Sequence, residues 1–128
     1  MKTSKTLAIA ATMLFSLVAF AATKKPWDGT YTPYTMHYLA YSGSISEAQP
    51  PKPSDKRLSF AIEGQLAQEM FNSIGPDLKL SCGTTLGMRQ RERGDVDCSY
   101  DKDNAASPYT CHFGLDLRKG KSITGAIC

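Results

Sequence analysis

Tyr109-Thr110-Cys111-His112-Phe113-Gly114-Leu115-Asp116-Leu117 sets five apolar side chains at strict alternation. That period of two defines a β-strand with one face turned to a core. The pattern continues on both sides. Upstream, a polar loop over residues 101–108 separates it from Val96, Cys98 and Tyr100, a second alternating set. Gly94-Asp95 supplies a turn, and before it Arg89, Arg91 and Arg93 alternate with Met88, Gln90 and Glu92. Downstream, Lys119-Gly120 is a compact turn and residues 123–128 return. The C-terminal third therefore predicts an antiparallel β-meander.

All four cysteines, Cys82, Cys98, Cys111 and Cys128, belong to this region. Their gaps of 16, 13 and 17 residues do not resemble the CxxC spacing of zinc sites. An even count then reads as a disulfide framework, with no metal and no cofactor. A two-residue loop at Lys119-Gly120 would set Cys111 opposite Cys128, whereas a symmetric loop over 101–108 sets Cys98 opposite Cys111. The preferred pairing is Cys82–Cys98 with Cys111–Cys128. Cys82–Cys128 with Cys98–Cys111 stays open as the alternative.

Before the meander the period changes. Leu66, Ala67, Met70, Phe71 and Ile74 recur at helical spacing over residues 64–74, and Gly75-Pro76 follows as a stop, the glycine suited to a left-handed cap. Leu58, Phe60 and Ile62 alternate in a half-buried strand. The aromatic run over residues 34–41 predicts another. Gly43, Pro50, Pro51 and Pro53 make the stretch between these two strands an exposed loop. The fold class expected is α+β: an N-terminal strand pair, one amphipathic helix, and a C-terminal disulfide-bonded antiparallel β-meander. The helix should pack on the sheet face bearing Tyr109, Cys111, Phe113 and Leu115.

The N-terminus reads as a secretory leader. Lys2 and Lys5 precede an apolar run that closes on Ala19-Phe20-Ala21-Ala22, small residues at the positions a signal peptidase reads. Residues 1–22 are thus expected to be a signal peptide, 23–33 an irregular arm, and 34–128 a single domain in the periplasm or outside the cell. Loss of Lys2 and Lys5 leaves 13 basic against 12 acidic residues. A charge balance this even disfavours nucleic acid, and no stable membrane insertion is expected after cleavage.

Arg89, Arg91 and Arg93 fall on one face of a strand, about 6.6–6.8 Å apart, a spacing suited to bidentate contact with anionic groups. Glu92, Asp95, Asp97, Asp101 and Asp103 lie close enough to neutralise them, and a solvated edge strand explains the row equally well. His112, flanked by Cys111 and Phe113, points to the opposite face and is the weak catalytic candidate; His37 ranks below it. Neither a nucleophile elbow, a phosphate-binding loop nor a zinc-protease motif occurs. Arg93-Gly94-Asp95 spells the tripeptide integrins recognise and reads more simply as a hairpin turn.

From Arg91-x-Arg93 through Cys98, Tyr109-Thr110-Cys111-His112-Phe113-Gly114-Leu115, Leu117 and Lys119-Gly120-Lys121-Ser122 to Cys128, the tail resembles small secreted proteins of unknown function in Gram-negative bacteria. The resemblance implies export and paired cysteines, and no activity. The preferred reading is an exported binding or inhibitor-type protein that recognises a protein or an anionic macromolecule through the arginine strand. A small secreted hydrolase using His112, and a subunit of a secreted or surface assembly, are the alternatives.

Overall fold

A computed structural model describes residues 26–81 and 86–127. The leader assignment, Cys82 and Cys128 lie outside the described residues. Chain contacts divide the protein into Met1–Thr32 and Pro33–Cys128. In the first unit residues 26–32 carry neither helix nor strand. There the Asp28 carboxylate accepts the Thr30 amide at 3.1 Å and its hydroxyl at 2.6 Å.

Among the described residues the second unit holds a six-stranded antiparallel sheet and one α-helix. In chain order these are β1 (His37–Tyr41), β2 (Arg57–Glu63), α1 (Gly64–Ser73), β3 (Arg89–Arg93), β4 (Val96–Tyr100), β5 (Tyr109–Asp116) and β6 (Lys121–Ile123). The strand order is β1-β2-β5-β4-β3, with β6 also on β5. The strand quoted above is the centre of this sheet. On one side β2 pairs with it from Thr110 to Asp116, in the register Phe60↔Phe113 and Ile62↔Cys111. On the other side β4 pairs with Tyr109 to His112, and β6 with Gly114 to Asp116.

That sharing of one edge corrects the expected meander. A fourth meander strand would lie beyond β5, but β2 occupies that edge, so β6 folds back and continues the line of β4. The turn differs as well. The Asp116 carboxylate accepts the backbone amides of Arg118 at 3.1 Å and Lys119 at 3.0 Å, and the Gly120 amide bonds the Asp116 carbonyl. Those bonds enclose four loop residues, 117–120, and shift the register to Asp116↔Lys121. The Lys119 amide foremost holds the Asp116 carboxyl below the ordinary carboxylate range.

Cys111 faces Cys98, and the two form a disulfide with their Cα atoms 4.0 Å apart. The preferred pairing is thereby overturned at both of its bridges. The symmetric loop over 101–108, closed by the Asp101 amide on the Pro108 carbonyl at 2.8 Å, fixes this register. Both cysteines are fully buried with Ile62, Ala67 and Phe71 in the core. A bridge across 13 residues stabilises by about 3 kcal/mol through restriction of the unfolded chain.

The helix grows out of β2 without a linker. Gly64 takes φ +72°, a left-handed conformation that turns the strand directly into the helix. Its apolar stripe packs as the spacing requires: Ala67 and Phe71 are buried, and Leu66, Met70 and Ile74 flank them against Tyr109 and Phe113. Ala67 keeps no side chain beyond Cβ, which lets the helix settle over the disulfide. Gly75 is not the left-handed cap expected. Ile74, in extended conformation, caps the helix, and its amide bonds the Met70 carbonyl. The proline-rich loop between β1 and β2 is ordered by Ser42, whose backbone pairs with Gln49 and whose hydroxyl bonds the Asp55 carbonyl and the Lys52 amide.

Proteolysis of the oxidised chain followed by mass spectrometry should recover the Cys98 peptide linked to the Cys111 peptide. A Cys82–Cys98 or a Cys111–Cys128 link would contradict the register of β4 on β5.

Candidate functional site

The two faces of the sheet contain different chemistry. In β3, Arg89 pairs with Tyr100, Arg91 with Cys98 and Arg93 with Val96, so the three arginines share the face that carries the helix. The row is real, but it does not stand free in solvent. The Arg91 guanidinium lies 4.3 Å from the centroid of Phe71 and donates to the carbonyls of Phe71 at 2.8 Å and Ile74 at 3.1 Å. These are carbonyls at the C-terminal end of α1, where the helix dipole favours a cation. Asp77 completes the lock, accepting from Arg91 at 2.5 Å and from Arg89 at 2.7 Å. The two arginine hydrogen bonds hold the Asp77 carboxyl at about 2, well below its ordinary 3.8. Arg91 is only 18% exposed at its side chain. Of the predicted binding row, two members clamp the helix end and the third, Arg93, is exposed beside the Gly94-Asp95 turn.

The opposite face is open. Across it run His37 of β1, Ala61 of β2, His112 of β5 and Asp97 of β4, each directly opposite the next. The chain's two histidines are thus two strands apart, about 9.5 Å between Cα atoms at ordinary strand spacing. They line one cavity of about 460 Å³ together with Leu39, Ser59, Ala61 and Ile45. Small residues explain the hollow. Ser59 and Ala61 fill the β2 positions between Leu58, Phe60 and Ile62, whose side chains turn to the helix, so the sheet has little bulk on this face.

Residues 124–127, leaving β6, form the remaining wall. Gly125 lies against the backbone of Phe113, so close that a β-carbon would stand 2.4 Å from the Phe113 carbonyl. Its own carbonyl accepts the buried Ser59 hydroxyl at 2.5 Å. Ala126 and Ile127 then face the cavity. On the other side of this segment a smaller hollow of about 210 Å³ is lined by Glu92, Asp95, Val96, Asp97 and Thr124, and Ala126 belongs to both.

Chemically the larger cavity is mainly apolar, and His37, His112, Ser59 and Tyr38 are the polar residues in its lining. His112 is partly buried, and its Nδ1 atom has neither solvent nor a hydrogen-bond partner. Among the described residues neither hollow is lined by a lysine or an arginine. Among the described residues no group of three or more metal-binding side chains comes together. No helix among them is long and apolar enough to cross a membrane. Sequence reading singled out His112 but missed Leu39, Ser59, Ala61 and Gly125. The signal available for them was the small residues alternating with bulky ones in β2. Comparison of the chain with protein-family models, curated proteins and solved structures returns no match.

Asp77 is depressed in the folded protein, so its contribution to stability is complete above pH 3.8 and is lost as pH falls through about 2. Thermal unfolding between pH 5 and pH 2 should show a loss in the native chain that is smaller in Asp77→Asn, where it remains only through Asp116 and other carboxylates. Gly125→Ala should displace residues 124–127 from the sheet, at a cost of about 1–3 kcal/mol for an overpacked site. Amide exchange should then quicken at Ser59 and Phe113 and stay unchanged at Phe71.

Proposed function

We propose that this chain is an exported, non-enzymatic binding protein whose recognition surface is the open face of its sheet. One observation carries the reading: the mainly apolar cavity walled by residues 124–127, with Ser59, Tyr38, His37 and His112 as its polar residues. Ligand sites are typically concave, mainly apolar and fixed by a few polar groups of this kind. The arginine strand, the contact surface expected from sequence, is better accounted for by its bonds to Asp77 and the helix carbonyls. Export is supported by the Cys98–Cys111 bridge, a bond that persists in oxidising compartments, and by the leader-like N-terminus.

Hydrolysis is the second reading, favoured by one specific fact: both histidines line the same cavity. Acid–base cleavage of a phosphodiester would also need a cation to stabilise the developing charge. Among the described residues no lysine or arginine lines the cavity, and binding is therefore the reading we prefer. Phosphodiesterase activity abolished by His112→Ala in the folded chain would reverse that order.

Affinity capture from periplasm and culture medium separates the surfaces. Ala61→Arg, which fills the open face between His37 and His112, should lose the partner, while Arg93→Ala should retain it. Circular dichroism checks that both variants are folded. Capture lost in Arg93→Ala and kept in Ala61→Arg would return recognition to the arginine strand.

A further inference from the structure

The hollow beyond Ala126 is lined by three acids and, among the described residues, by no basic side chain. Glu92, Asp95 and Asp97 surround it, and among the described residues none of the three forms an ion pair. Their bonds come from neutral donors: the Gln90 amide serves Glu92 and Asp97, and the Ser122 hydroxyl serves Asp95 at 2.5 Å. Asp95 and Asp97 are half-buried, which weakens solvent screening of their charge. The remaining arginines of β3 cannot help, since they lie on the other face of the sheet. Elsewhere the fold does pair its acids: Asp77 with Arg89 and Arg91, and Asp116 with Arg57 and Lys119.

The acidic hollow adjoins the apolar cavity, the two sharing only Ala126 of the covering segment. An occupant of both must therefore offer an apolar group on one side of Ala126 and a positive charge on the other. Lysine and arginine side chains carry their charge at the end of an apolar stem, which suits passage over Ala126 into the carboxylates. Complementary charge fixes orientation and hastens encounter, and the apolar anchor supplies the burial.

We propose that the open face docks a segment of a partner protein in which a basic residue stands beside an aromatic or aliphatic one. The apolar side chain enters the cavity between Leu39 and Ala61, and the basic one enters among Glu92, Asp95 and Asp97. This rests on the open face being the recognition surface and adds the chemistry of what it recognises.

A random dodecapeptide library displayed on phage, selected against the full oxidised chain, tests both layers. Selected sequences should be enriched about tenfold over the starting library in a lysine or arginine next to an aromatic or aliphatic residue. Selection on Glu92→Gln/Asp97→Asn should keep the apolar preference and lose the basic one, and Ala61→Arg should select nothing. Apolar enrichment without basic residues, still lost in Ala61→Arg, would overturn the partner chemistry while leaving the open-face site intact. Enrichment that survives Ala61→Arg would overturn both, as would failure to enrich any sequence.

Discussion

A central strand has two edges, and in this protein three strands compete for those of β5. Along one edge β2 pairs from Thr110 to Asp116. The other is divided, β4 taking Tyr109 to His112 and β6 taking Gly114 to Asp116. The changeover falls at Phe113 and Gly114. A β-carbon on Gly114 would come within 2.9 Å of both the Leu58 carbonyl and the Ile123 side chain. Glycine there is a packing requirement, and it allows the chain after β6 to cross the sheet rather than extend it. Gly125 meets the same strand from above. The walled cavity on the open face is therefore a product of how β5 is shared: without β6 turning back on the edge begun by β4, residues 124–127 would not wall it.

The other face obeys a different constraint. Helix α1 starts immediately after the last residue of β2, and carbonyls at its C-terminal end accept from Arg91 of the arginine strand. Arg91 satisfies two of those carbonyls, stacks on Phe71 and binds Asp77. Phe71 in turn meets Tyr109 at 5.4 Å between ring centroids, and Tyr109 meets Tyr100 at 4.8 Å. A guanidinium serves here because its flat, multi-donor shape can cover an aromatic ring and reach three acceptors at once. Lysine at the same position would hold a charge but not this geometry.

Periodicity carried most of the architecture in advance. The alternation around Phe113, the helical stripe from Leu66 to Ile74, and the turns at Gly94 and residues 101–108 are local signals, and the structure keeps each of them. Pairing partners were harder to read, because they depend on which strand reaches an edge first. Nothing near Cys111 announces that β2 will claim the far edge, so the two-residue turn at Lys119-Gly120 looked sufficient. It was the Asp116 carboxylate, bonding two amides ahead of it, that lengthened the turn and moved the register. The arginine row shows the same limit. Its alternation placed Arg89, Arg91 and Arg93 on one face, but only the helix and Asp77 decide whether that face is wet. His112 was singled out for its chemistry, whereas the company it keeps, Ala61 and His37, follows from strand order alone.

The two outer strands of the sheet are unequal. Arg89, Arg91, Glu92 and Arg93 load β3 with charge, while β1 reads His-Tyr-Leu-Ala-Tyr, with Tyr38 70% exposed and Leu39 49% exposed. Strand addition is resisted by charge and invited by its absence. A stack of copies needs two willing edges on every molecule, one to receive and one to extend. This sheet has one. Charge on β3 disfavours addition at that end of the sheet, while β1 carries no lysine, arginine, aspartate or glutamate at the other.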